Sequence, residues 1–142
     1  MALVVLLAAA SASAACSVTS VSALAFGTYD PFTSVPRDSS GSVTITCSGL
    51  IGLVTVVLSA GQSTVMTART MNNGANLLSY AVYFDTLRTL YMGNGVAGTS
   101  HYGPAVAALG IPITFQFYGR IPARQAVAPG TYGDTLVITV SF

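Results

Sequence analysis

The side chains that could do chemistry are few. The sequence holds one imidazole, His101, two thiols, Cys16 and Cys47, and four carboxylates, Asp30, Asp38, Asp85 and Asp134. A nucleophilic site needs a hydroxyl or thiol beside a base. Gly98-Thr99-Ser100-His101-Tyr102-Gly103 puts a serine next to the histidine, but it misses the Gly-x-Ser-x-Gly spacing of a nucleophile elbow. Its Gly/Ser surroundings read as a loop rather than a strand-to-helix turn, so a hydrolase using Ser100 and His101 is a remote reading. The aspartates are dispersed, and turn capping suits them better than paired acid and base work. Two Cys and one His fall short of a four-ligand zinc site, and the cysteine spacing is far too long for a redox Cys-x-x-Cys. No phosphate-binding glycine loop, calcium loop or glycosylation acceptor is present. The expectation is a non-enzymatic chain with no cofactor and no metal.

Composition points the same way. Of 142 residues, 52% are hydrophobic and only 6% are charged, with every cation an Arg and every anion an Asp. Five scattered Arg cannot make the basic stripe that phosphate neutralisation requires, so nucleic acid is not an expected partner. A long exposed helix would be rich in Glu and Lys, which are absent. The length suits one domain able to bury a core.

The first fourteen residues read as a secretory signal peptide. Residues 3–10 are apolar and lead into Ala12-Ser13-Ala14, a small-residue cleavage pattern, although no Lys or Arg precedes them. The run is too short to span a bilayer, so no membrane span is expected in the mature chain, residues 15–142. Export to an oxidising compartment favours joining Cys16 to Cys47. Closing their loop of about 32 residues removes roughly 3.5–4 kcal/mol of chain entropy from the unfolded state.

A period of two runs through the remainder. Val43, Ile45 and Cys47 alternate with Thr44 and Thr46; Ile113, Phe115 and Phe117 alternate with Thr114 and Gln116. Leu136, Ile138, Val140 and Phe142 fall on one face of a C-terminal strand. Residues 53–58 are nearly all β-branched or apolar, which suggests a strand covered on both faces, and residues 77–84 are also strand-like. Turn sequences such as Asn72-Asn73-Gly74, Gly93-Asn94-Gly95 and Pro129-Gly130 separate the runs. About seven strands at this spacing make an all-β Greek-key sandwich.

Several segments, in order, resemble the spore coat protein U domain family, which also supplies the pilins of archaic chaperone–usher pili. They begin with Cys16-Ser17-Val18 and Phe26-Gly27-Thr28-Tyr29-Asp30-Pro31. Residues 41–47, Leu58-Ser59-Ala60-Gly61, Arg69-Thr70-Met71 and Leu77-Leu78-Ser79-Tyr80 follow. Tyr118-Gly119-Arg120-Ile121-Pro122-Ala123 and Gly130-Thr131-Tyr132-Gly133-Asp134 complete the set. The resemblance implies an immunoglobulin-like sandwich, incomplete until a donor strand fills it, with a Cys16–Cys47 bridge. It also implies a periplasmic chaperone, an outer-membrane usher and other pilins as partners, and a place at the cell surface in a pilus.

An incomplete sandwich leaves unpaired edge groups, and a donated strand satisfies them while filling the groove. Leu136, Ile138, Val140 and Phe142 are the expected groove residues. At most two residues, Ala15 and Ala14, lie between the expected cleavage site and Cys16, so the expectation is a chain that accepts a strand without donating one. That places it at the tip or another terminal position of a fibre, with adhesion or biofilm roles for loops carrying Tyr91, Met92 and Tyr102. The uniform apolarity of residues 3–10 argues against that segment, with Leu3, Val5 and Leu7, acting as the donor. The alternative is a self-complete spore-coat or surface-layer protein.

Overall fold

The computed structural model describes residues 2–11, 16–48, 53–108 and 110–142, the first of these segments by its strand pairing. Among the described residues, twelve strands and one turn of 3-10 helix, Gly61–Ser63, make up the regular structure. The strands are β1 (Ala2–Ser11), β2 (Cys16–Ser22), β3 (Leu24–Thr28), β4 (Arg37–Cys47), β5 (Leu53–Leu58) and β6 (Arg69–Asn73). They continue with β7 (Asn76–Tyr83), β8 (Tyr91–Met92), β9 (Thr99–Ser100), β10 (Tyr102–Val106), β11 (Ile113–Ile121) and β12 (Tyr132–Ser141).

The main hydrogen-bonded path runs β10-β5-β12-β6-β7-β11-β4-β2. Few neighbours are consecutive in sequence, so the chain crosses repeatedly between the two halves. β7 is where the path turns the corner: residues 76–80 pair with β6, and residues 81–83 pair with β11. The halves then face each other. Tyr102 of β10, at one end of the path, has its ring 5.0 Å from that of Phe115 in β11 of the opposite half. This is the all-β sandwich that the period of two implies.

Alternation sets what is buried. β4 buries Gly41, Val43, Ile45 and Cys47, and β11 buries Phe115, Phe117, Gly119 and Ile121. These meet Val54, Val56 and Leu58 of β5 and Leu136, Ile138 and Val140 of β12 in one core. Burying each such side chain contributes about 1.5–3 kcal/mol, which the ordering of the chain largely offsets. Residues 53–58 differ from expectation. Leu53 is exposed and Thr55 and Val57 are only half covered, because nothing packs fully over the outer face of β5. Gly41 has a steric reason: a Cβ there would sit 2.6 Å from the Ser22 carbonyl oxygen, where the β2–β3 connection crosses β4.

Candidate functional site

β12 has two edges with different partners. On one, residues 138–141 pair antiparallel with residues 55–58 of β5, and Gly133 pairs with Asn72 of β6. On the other, residues 132–140 pair only with β1, in parallel, from Leu3↔Tyr132 through Leu7↔Leu136 to Ser11↔Val140. The far edge of β1 pairs antiparallel with β3, from Ala2↔Thr28 to Val5↔Leu24, with a register shift between Leu3 and Val4. β3 has no other ladder partner among the described residues. Its carbonyls at Ala25 and Phe26 instead accept hydrogen bonds from the side chains of Ser39 (2.9 Å) and Arg37 (2.6 Å). A slot one strand wide therefore lies between β3 and β12, and residues 2–11 fill it.

Leu24 and Phe26 of β3 and Leu136, Ile138 and Val140 of β12 are all fully buried around this slot. Phe142 lies past the end of β12 and is 38% exposed, so the structure groups three of the four expected groove residues and leaves the fourth outside. Cys16 and Cys47 are cross-strand partners of β2 and β4 and are joined by a disulfide.

The start of β12 is held by a buried polar cluster. Asp134, 3% exposed, accepts hydrogen bonds from the Tyr80 hydroxyl (2.5 Å) and from the backbone N–H groups of Gln62 (3.0 Å) and Thr135 (2.9 Å). Burial, reinforced by the Asp134 contact, pushes the Tyr80 hydroxyl far above its ordinary range and keeps it a donor. Gly61, at φ +69°, passes so close to the Asp134 carboxylate that any Cβ would collide with it. Beside it, Arg69 is fully buried and donates to the carbonyls of Ser59 (2.7 and 3.1 Å), Met66 (2.8 Å) and Met92 (2.8 Å). Burial lowers its pKa to about 10, so it stays a cation at neutral pH, with its charge spread over carbonyl dipoles. The cluster fixes β12 to β7 and to the turn at residues 59–63. It holds the start of β12 in position.

The four aspartates divide by role. Asp30 caps a turn through the Phe32 N–H, and Asp85 caps another through the N–H groups of Thr89 and Leu90. Asp38 makes a two-point pair with Arg120 across the β4–β11 ladder, at 2.8 and 3.0 Å, and that pair holds its carboxyl below the usual range. Asp134 is buried within a strand, where sequence reasoning read it as a turn residue.

The residues expected in exposed loops pack instead. Tyr91 stacks on Tyr83 with centroids 5.2 Å apart, and Met92 is fully buried. Tyr102 lies among Phe84, Phe115 and Phe117, and its hydroxyl donates to the Gln116 carbonyl. The exposed apolar side chains of this region are Leu87, Leu90 and Val96. His101 has Nδ1 3.2 Å from the Tyr102 carbonyl oxygen, in a loop rather than a cleft.

The spore coat protein U domain model matches residues 2–139, nearly the whole chain. The chain belongs to the spore coat protein U domain family. Protein U of Myxococcus xanthus is 36% identical over 132 residues, which cover 84% of this chain and 71% of that protein. Among solved structures, one similar chain comes from the pre-assembly complex of the chaperone CsuC with the tip adhesion subunit CsuE, from archaic chaperone–usher Csu pili of Acinetobacter baumannii. The TM-score is 0.54 at 23% identity, which shows a shared fold. The match covers 76% of this chain and 35% of that one, so this chain spans about a third of its neighbour's length.

The segments that carry the family resemblance are joints of the sandwich. Arg69, Tyr80, Gly61 and Asp134 meet in one cluster. The Tyr29 hydroxyl donates to the Pro122 carbonyl (2.7 Å) and accepts from the Gln125 N–H (3.0 Å). Gly119 makes room for the Phe26 ring, which a Cβ would approach to 2.6 Å.

Proposed function

We propose that this chain is a structural subunit of a chaperone–usher pilus, assembled by strand complementation along the free edge of β12. The observation that carries this reading is the slot itself: one edge of β12 and one edge of β3 find ladder partners only in a strand placed between them. An unfilled slot of this kind exposes a row of N–H and C=O groups beside an apolar floor, a hazard that a chaperone's strand or a neighbouring subunit's strand removes. Leu136, Ile138 and Val140 form that floor. The partners in this reading are a periplasmic chaperone, an outer-membrane usher and other pilins, and the protein is secreted to the cell surface after loss of residues 1–14. It works by assembly rather than catalysis. A terminal, adhesive position belongs to the same reading, with Leu87, Leu90 and Val96 as the apolar side chains open to a surface.

One observation favours a second reading, a self-complete coat or surface-layer protein: residues 2–11 already occupy the slot. Shearing of surface material from the producing cells separates the two. The pilus reading expects the chain in heat-labile polymers resistant to cold detergent, and chaperone-bound copies in the periplasm. A chain recovered only as detergent-soluble monomer contradicts it and favours the coat protein.

A further inference from the structure

The two strands that border the slot run on into two loops at one end of it. β3 leads into residues 29–36, and residues 122–131 lead into β12. The slot ends there, where Ala2 pairs with Thr28 and Leu3 with Tyr132. The Tyr29 hydroxyl ties the loops together through the Pro122 carbonyl and the Gln125 N–H. The Gln125 side-chain amide pairs with the backbone of Ser79 in both directions, at 2.8 Å each, as a strand residue would. In the other loop Asp30 accepts from the Phe32 N–H, and the Thr33 hydroxyl accepts from the Val35 N–H. This scaffold holds out two side chains that have no polar or ring partner among the described residues. Phe32 is 90% exposed, the most exposed large apolar side chain described. Arg124 sits at φ +59°, a left-handed backbone that non-glycine residues rarely adopt and that recurs at ligand clamps. With Pro31, Ala126 and Val127 they line a cavity of about 470 Å³.

We propose that this pocket grips the segment flanking the inserted strand on the neighbouring subunit, and that the segment carries a carboxylate beside an apolar or aromatic side chain. This rests on the strand-accepting reading of the slot. A strand lying between β3 and β12 leaves the slot beside these loops, so the partner residues just outside it pass the pocket. Phe32, Pro31 and Val127 offer them apolar cover, and the Arg124 guanidinium offers a carboxylate two parallel N–H donors. The lining holds no acid. Asp30, nearby in the loop, already accepts from the Phe32 N–H, and Arg37 at the start of β4 adds a second cation at this end. A second copy of this chain brings no uncommitted aspartate: Asp30 and Asp85 cap turns, Asp38 pairs with Arg120 and Asp134 is buried. The acid therefore belongs to a different subunit. Its capture also fixes register, because a row of alternating apolar side chains can slip by two residues, whereas one charge at the end of the row cannot.

The test variants spare the fold. Phe32→Ala removes an exposed ring, and Arg124→Gly removes the guanidinium at a backbone angle that glycine adopts freely. The probe is the blocked dipeptide N-acetyl-aspartyl-phenylalanine amide, added to the full chain and followed by the NMR signals of residues 31–32 and 124–127. Saturable shifts are expected, with affinity about tenfold weaker for the asparaginyl probe and for Arg124→Gly. Phe32→Ala is expected to weaken binding as well. Equal binding of the two probes, or no saturation by either, overturns the inference. In producing cells both variants are expected to yield normal amounts of chaperone-bound chain, and sheared polymers that come apart at a lower temperature than those of the unaltered chain. Polymers of undiminished heat resistance overturn the inference and leave the strand-accepting reading intact. Loss of the chaperone-bound copies assigns the pocket to the chaperone and overturns its assignment to a subunit. An unaltered chain that forms no polymer defeats the strand-accepting reading, and this inference with it.

Discussion

Two N-terminal strands are added to the edges of this sandwich, and they are secured differently. β2 lies along β4 with a disulfide between directly paired residues, Cys16 and Cys47. β1 pairs with β12 from Leu3 to Ser11 and with β3 at its start, and holds no cysteine. The first edge is closed for the life of the oxidised protein. The second is closed only while β1 remains, although the floor beneath it is as fully buried as any part of the core. The first edge carries a covalent link, and the second is closed by backbone pairing.

The largest effect is expected at the floor of the slot. Ile138→Ala, at a fully buried position, should cost about 2–5 kcal/mol in a denaturant titration, and the outward-facing Val137→Ala should cost far less. Replacing both cysteines with alanine should cost roughly 3–4 kcal/mol and expose the amides of β2 to exchange, leaving the β1–β12 ladder protected. If both ladders loosen together, the two edges are not independent. Asp134→Ala leaves the buried Tyr80 hydroxyl without its acceptor and should cost about 1–3 kcal/mol. Tyr80→Phe in the same background should recover part of that loss.

The smallest effect belongs to the exposed pair. Arg120→Ala should cost under about 1 kcal/mol, because solvent screens an ion pair whose partners are each more than a third exposed. Its pH dependence has a definite sign. The folded Asp38 carboxyl titrates below its unfolded value near 3.8. The contribution is therefore present above that pH and fades as the pH falls through the lower folded value. A melting curve near neutral pH should not register it as a slope.

Much of the sandwich was legible because half-buried strands alternate. β4, β11 and β12 could be read directly, and the cysteines fell where cross-strand partners belong. β1 was not legible as a strand, since an unbroken apolar run gives no period by which to tell strand, helix or leader apart. The segment reads as an export signal in sequence and pairs as a strand in the fold. Arg69 was equally hidden. Its carbonyl partners come from residues 59, 66 and 92, and nothing around Arg69 in the sequence announces that they converge. Tyr91, Met92 and Tyr102 sit among glycines and so looked like hairpin tips, but their rings and sulfur fill gaps at the sandwich edge. Phe142 continued the alternation of β12 on paper and fell beyond its last paired residue.

The most direct test is amide exchange on the intact chain carrying Ala8→Pro, which puts a residue with no N–H in the middle of the β1–β12 ladder. Residues 132–140 are expected to lose protection while residues 37–47 of β4 keep theirs. Unchanged protection at residues 132–140 would contradict it.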